Sequence, residues 1–424
     1  MLHFEQKKVR SLLLKGNFGL EKESLRVDKD GYFAHTPHPL PDDPYIVRDF
    51  CENQTEINTP VLRSPKEAVE TLGELNRRLL KTLNELPEPE YLWPFSNPPY
   101  IRNEEDVPVA AFSGPLAVKT EYRNYLSDRY GRYKMAFSGI HVNFSFADEL
   151  LEADFAASGG SDFQEYKNQL YVALAEGAAA YAWIITAVTA ASPLLDGSFL
   201  EKKGIGQDAF NGMATSRCSE LGYWNYFTPV FDYSDIRRYA DSIQNYVDTG
   251  LLRYPSELYY PIRLKPKGEN DLNTLRESGV NHIELRMVDL NPLCENCLEE
   301  KDVFFAQLLL VWLASTPRRH FAVKDQVQAV QNFKNASRYD LKTAKIVIPS
   351  GGSCTVADAA LRVIAELEAF YRDFPAEVQE TIQFEKEKFL YPEKRYAWVI
   401  RKAYGNGFVK KGLELAKLRQ ASLV

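Results

Sequence analysis

Seven residues of types that hold metal ions and phosphates lie in strand-like segments of this chain: Glu21 and Glu23, Asp49 and Glu56, His141, and Glu284 with Arg286. The run Gly19–Val27 begins after a glycine and reads as a β-strand, so Glu21 and Glu23 project from one side, about 7 Å apart. Ile140–Phe146 alternates, with apolar residues on one face and His141, Asn143 and Ser145 on the other. His282–Arg286 does the same, placing His282, Glu284 and Arg286 opposite Ile283 and Leu285. Asp49, Glu52 and Glu56 lie in a segment whose later half alternates until Pro60 ends it.

If these segments neighbour each other in one sheet, one face carries five carboxylates and an imidazole. Like charges so crowded would raise each other's pKa and destabilise the sheet. Divalent cations resolve the conflict. Hard oxygen ligands suit Mg²⁺, and a single histidine among carboxylates is compatible with Mg²⁺ or Mn²⁺ rather than zinc. Mg²⁺ held this way usually also holds phosphates, and arginines would then offset charge on a transferred phosphoryl group. A zinc hydrolase is the weaker reading, because no histidine pair stands at helical spacing. Taken singly, each residue has a plainer role: His141 as a hydrogen-bonded core histidine, Arg286 as half of an ion pair with Glu284, Asp49 as a cap. Their coincidence on matching faces favours the joint reading.

The elements that must position these groups follow from pattern. Residues 1–17 read as a helix with Val9, Leu12 and Leu13 on one face, and Asp28–Gly31 as a turn that makes the Glu21/Glu23 strand half of a hairpin. Ser64-Pro65-Lys66-Glu67 is a capping box opening a helix with Val69, Leu72, Leu75, Leu79, Leu83 and Leu86 on one face, stopped by Pro87. Tyr91–Pro99 is an aromatic, proline-rich loop. A short helix over Tyr122–Tyr133 carries Tyr122, Arg123 and Leu126. A long helix runs from about Asp162 to Ala191, and the stretch from Gly177 to Leu195 has no charge. That is about the length of a membrane span. Its alanine content, Pro193 and the lack of a flanking Lys/Arg cluster favour a buried core helix. Leu258–Arg263 reads as an edge strand and Val303–Ala314 as a core helix. Gly204-Ile205-Gly206 has no strand before it and no third glycine, so it is no dinucleotide fingerprint. Ser350-Gly351-Gly352-Ser353 lacks the lysine of a phosphate loop and reads as the start of a helix near Thr355. No repeat or low-complexity linker divides the chain, so residues 1–424 are expected to form one α+β domain.

The net charge of −7 disfavours nucleic acid as a partner. Five cysteines and the absence of an apolar leader at Met1–Lys8 point to a reducing, cytoplasmic setting. Cys294-Glu295-Asn296-Cys297 has no second ligand pair at metal spacing and reads as a loop.

Ordered blocks of the chain resemble bacterial glutamate–cysteine ligase, especially the ligase half of the bifunctional glutathione-synthesising enzymes. The blocks are Gly19–Arg26, Asp49-Phe50 through Glu56–Pro60, Leu92-Trp93-Pro94, Ser138–Phe144, Leu221-Gly222-Tyr223, Tyr260–Arg263, and Ile283–Arg286 with Asp289–Pro292. The likeness runs from about Gly19 to about Pro292. It implies a glutamine-synthetase-like fold, a curved, mainly antiparallel sheet forming a metal-lined funnel with helices outside. It implies ATP as co-substrate, small-molecule substrates without nucleic acid or membrane, and a monomer or small homo-oligomer. Carried over by position, Glu21, Glu23, Asp49, Glu56, His141 and Glu284 would hold Mg²⁺ (or Mn²⁺). Arg286 would meet the phosphoryl group, and Asn143 and Ser145 would lie on the nucleotide side. Tyr122, Arg123, Leu126, Met135, Arg217 and Tyr223 would line the amino-acid pockets, with Arg217 on a substrate carboxylate and Arg123 beside the chemistry. Glu52 is ranked as a support.

The implied reaction joins the γ-carboxylate of glutamate to the amine of cysteine through γ-glutamyl phosphate. Two departures bear on the acceptor: Met135 stands where the family usually has glutamine, and Val142 where it has tyrosine. They keep open a different amine acceptor. The chain ends without the ATP-grasp domain of the bifunctional enzymes, which implies that only the dipeptide is made. A nucleotide-binding protein without catalysis, or a metal-dependent hydrolase acting without ATP, are the alternatives of another class.

Overall fold

A computed structural model of the chain describes residues 1–201, 212–222, 224–317, 320–348 and 352–422. Its centre is a seven-stranded sheet. In chain order the strands are β1 (Gly16–Val27), β2 (Ile46–Arg48), β3 (Gln54–Asn58), β4 (Tyr91–Leu92), β5 (Gly139–Phe146), β6 (Ile262–Lys265) and β7 (His282–Asp289). Across the sheet they run β2-β3-β1-β5-β7-β6, with β4 paired to the far end of β1, and every ladder is antiparallel.

Alternation decides the faces. Phe18 and Leu20 of β1, Val142 and Phe144 of β5, and Ile283 and Leu285 of β7 are all buried on one side. Each such side chain contributes about 1.5–3 kcal/mol relative to exposure. Against that face pack the helices Pro65–Asn84 and Phe163–Thr189, with Glu300–Ser315 packed on both of them. Lys22, between the two glutamates of β1, therefore points to the helix side, where its ammonium donates to Asn76 Oδ1 at 2.7 Å. The expected capping box forms in half: the Ser64 hydroxyl accepts from the Glu67 N–H, but the Glu67 carboxylate accepts from the Arg63 N–H rather than from Ser64. The long helix starts at Asp162, whose side chain accepts from the Glu165 N–H. Phe163–Thr189 passes the length and composition of a membrane span but is 89% buried in the protein core over its most apolar window.

Several sequence expectations need correction. The N-terminal helix is only Lys7–Arg10, and the chain enters β1 already at Gly16. Val9 reaches the core from this one-turn helix and Leu13 from the turns that follow it, instead of both from a continuous helix. β1 is thus a long central strand rather than half of a hairpin, because Asp28–Gly31 returns the chain for a single bridge, Val27 to Phe33. Tyr91-Leu92, expected in a loop, form β4. The short helix spans Ala117–Tyr130 and breaks at Gly131, whose φ of +81° suits glycine, before Arg132–Met135. The edge strand begins at Ile262, after Pro261, which has no N–H to give a ladder, and continues to Lys265. Thr355 caps the helix Val356–Phe370, as expected of that region.

The Cys294–Cys297 segment is a turn, as expected, and all five cysteines are free. It anchors the last helix, Phe408–Ala421. Arg419 donates to Pro292 O at 2.7 Å, Cys294 O at 2.6 Å and Cys297 Sγ at 2.9 Å.

Candidate active site

The second face of the sheet opens into a cavity of about 470 Å³. Register brings its acids together. Across β1 and β5, Glu21 is paired with His141; across β1 and β3, Glu23 with Glu56. Between β5 and β7 the ladder slips: Ile140 pairs with Val288, and Val142 with Leu285, so β7 carries one extra residue opposite His141. This bulge turns both Arg286 and Met287 to the cavity wall. Asp49 enters from the turn between β2 and β3. All six predicted metal-ligating residues, together with Arg286, line the one cavity.

The donor atoms of Glu21, His141 and Glu284 lie within 4.8 Å of one another. His141 Nδ1 is 3.0 Å from Glu21 Oε2 and 3.7 Å from Glu284 Oε1, and Nε2 is 3.9 Å from Glu23 Oε1. Glu284 Oε2 is buried without a hydrogen-bond partner. A buried carboxylate oxygen left this way suits a cation, and two carboxylates with one imidazole, with Glu23 on the other ring nitrogen, form a donor set that fits Mg²⁺ or Mn²⁺. Burial, and then Arg286, lower the pKa of His141, which favours the neutral imidazole.

The acids are not equivalent. Burial raises Glu23 to about 8, reinforced by the Asp49 charge, and raises Glu56 well above the usual range for the same two reasons. Burial also works against ionisation of Glu21, but hydrogen bonds from His141 and Asn143 outweigh it and its pKa falls. Glu284 is held well below the carboxylate range: burial opposes its charge, but Arg286, Lys265, His141 and Arg263 surround it. Arg286 Nη1 lies 2.9 Å and Lys265 Nζ 3.5 Å from Glu284 Oε1.

The same wall also carries Tyr122, Arg123, Leu126, Met135 and Arg217 with Phe50, Tyr259 and Met287. Arg123 is fixed by donation from Nε to Asp49 O at 2.7 Å. Arg217 is buried, and its Nε has no hydrogen-bond partner.

Some expected residues stand apart. Asn143 and Ser145 are not on the cavity wall. Asn143 instead donates to Glu21 Oε1 at 2.9 Å, and the Ser145 hydroxyl accepts from Asn17 at 3.0 Å, farther along the sheet. Glu52 turns away to Arg48, at 2.8 Å, and accepts the His38 N–H. Tyr223, Gly204-Ile205-Gly206 and Ser350-Gly351 lie outside the described residues. Lys265, Tyr259 and Lys119 also line the cavity and were missed by the sequence reading. Lys265 follows the expected edge strand by two residues, and extending that strand's alternation would have given it the parity of Arg263.

A family model described as glutamate-cysteine ligase matches residues 1–255 and 227–336. The glutathione biosynthesis bifunctional protein GshAB of Listeria welshimeri is 33% identical over 431 residues, covering 97% of this chain and 55% of that protein. The protein of the same name from Clostridium perfringens is 31% identical over 369 residues, 84% of this chain and 47% of its own length. The chain thus spans about half the length of these curated relatives. A crystal structure of a bifunctional glutathione synthetase from Pasteurella multocida aligns with a TM-score of 0.86 and 25% identity, over 99% of this chain and 54% of that one. A glutamate–cysteine ligase from Francisella tularensis, solved in complex with AMP, shares the fold at a TM-score of 0.86 and 21% identity, over 97% of this chain and 89% of that one.

Proposed function

Because the chain belongs to the glutamate–cysteine ligase family, we propose that it is an ATP-dependent carboxylate–amine ligase. It joins the γ-carboxylate of L-glutamate to the amine of L-cysteine, the first step of glutathione synthesis. The observation that carries this reading is the gathering of Glu21, Glu23, Asp49, Glu56, His141 and Glu284 with Arg286, Arg123 and Arg217 on the wall of one cavity. The 424 residues act as one catalytic domain, with the sheet as a funnel whose floor is the metal-facing acids. Five free thiols suit a reducing compartment, the cytoplasm.

The six candidate ligands would hold Mg²⁺, or Mn²⁺, whose charge offsets that of the ATP phosphates. The γ-carboxylate of glutamate attacks the γ-phosphorus of ATP and ADP departs. The amine then attacks the acyl phosphate carbonyl and phosphate leaves. Both steps run largely on positioning and charge. Arg286 and Lys265, now shared by Glu284, supply positive charge where the phosphoryl group passes. Arg217 offers its guanidinium to a substrate carboxylate. Arg123, fixed on the Asp49 carbonyl, holds its positive charge beside the acids on the cavity wall. The buried aromatic side chains exclude water that would hydrolyse the acyl phosphate.

A different amine acceptor is the second reading. It is favoured by Met135, which is buried beside Leu126 in an apolar part of the cavity wall. The test is product analysis by mass spectrometry with Mg-ATP, glutamate and a panel of single amino acids. γ-Glutamylcysteine forming far faster than other products supports the first reading, and another dipeptide supports the second. No ADP with any acceptor would overturn both.

A further inference from the structure

Glu23 and Arg217, both on the cavity wall, are bridged by a residue with no side chain. Gly139, the first residue of β5, donates its N–H to Glu23 Oε2 at 2.9 Å. A Cβ placed on Gly139 would lie 2.1 Å from Arg217 Cζ, 2.2 Å from Nη2 and 2.4 Å from Nε. The Arg217 guanidinium therefore rests against the bare Cα of Gly139. The backbone there is not in the left-handed region, so conformation does not demand glycine. The guanidinium does.

Arg217 is otherwise loosely held. Its Nη1 reaches Val288 O at 3.4 Å and Cys218 Sγ at 4.0 Å, and Nε has no partner. A buried guanidinium with idle donors is costly without an anion to meet them, and this one lines the cavity. Its own main chain is fixed from behind, since a Cβ on Gly222 would lie 1.7 Å from Arg217 O. The loop is also tied to the sheet. Asp289, the register partner of Gly139, accepts from Thr215, Ser192 and the Ala191 N–H.

We propose that Gly139 is a positioning residue that seats the Arg217 guanidinium for a substrate carboxylate while its N–H orients Glu23, so that one residue fixes the distance between the amino-acid and metal-facing groups. This rests on the reading of the cavity as an amino-acid ligase site. The three atoms nearest a methyl at 139 all belong to the far end of one flexible side chain. It displaces Arg217 and leaves the N–H to Glu23 in place.

The test is a cycle of Gly139→Ala, Arg217→Ala and the double variant, in the full chain. Gly139→Ala is expected to raise KM for one amino-acid substrate roughly tenfold to a hundredfold, the effect of losing a charged hydrogen bond, with KM for ATP within about twofold of wild type. In the Arg217→Ala background the added alanine should change that KM less than about twofold, which a merely structural glycine would not do. An unchanged amino-acid KM in Gly139→Ala, or a full effect persisting without Arg217, overturns the proposal. If Gly139→Ala folds poorly, melting temperatures decide. The methyl should be tolerated once Arg217 is alanine, and a double variant melting as low as Gly139→Ala overturns the proposal. Wild type assayed alongside separates the two ideas. Absence of any ligation removes the ligase reading, whereas the melting cycle still tests the seat.

Discussion

Glu23 and Glu56 are direct register partners across β1 and β3, two carboxylates side by side on the cavity floor. Like charges so placed weaken a ladder unless something compensates them. No lysine or arginine is recorded within 4.0 Å of either carboxylate among the described residues, although His141 approaches Glu23. The arrangement is one that a proton or a cation must complete.

The pH dependence of that completion has a definite sign. Glu23 is raised from 4.5 to about 8, so between those values the cation-free folded chain holds a proton that the unfolded chain has lost. Stability without a cation should therefore fall as pH rises through this window. A divalent cation replaces the proton and binds more tightly as pH rises. The increase in melting temperature on adding Mg²⁺ or Mn²⁺ is expected to be larger at about pH 8.5 than at about pH 6.5. An equal increase at both values would remove these acids from the cation site.

Glu284→Gln keeps the shape but takes away the charge on which Arg286 and Lys265 converge. ATP turnover should fall by roughly a hundredfold or more. Unfolding should also become easier by about 3–5 kcal/mol, since buried cations lose their partner. Steady-state ADP release and chemical denaturation measure the two effects; full activity would exclude Glu284 from the cation site.

Met135→Gln introduces an amide into the apolar part of the cavity wall that Met135 shares with Leu126. If this position reads the acceptor, competition between cysteine and other amino acids should shift toward cysteine by roughly tenfold. Mass-spectrometric product ratios check this, and a ratio identical to wild type would assign acceptor choice elsewhere.

Lys388→Met provides a contrast away from the cavity. Lys388 Nζ is buried between Asp302, at 2.7 Å, and Glu385, at 2.8 Å. Its loss should cost about 3–5 kcal/mol of stability with KM values unchanged. A change in KM without a change in melting temperature would contradict this purely structural role.

By itself the sequence determined the faces of single elements. Alternation with period two is set by backbone geometry within a few residues, so the parity of Glu21 with Glu23 and of Glu284 with Arg286 was legible, as were the cap at Ser64 and the helix start near Asp162. The ordered motif blocks identified the family. Tertiary structure alone decided which strands meet and in what register. The pairing of Glu21 with His141, the extra residue in β7 that turns Met287 beside Arg286, and the contact of Arg217 with Gly139 join positions far apart in the chain. No local pattern encodes such distances; burial of the whole apolar face selects them. For the same reason Ser145 shares the parity of His141 yet sits off the cavity. Shared parity fixes a face, while the walls closing over that face decide how much of it becomes the site.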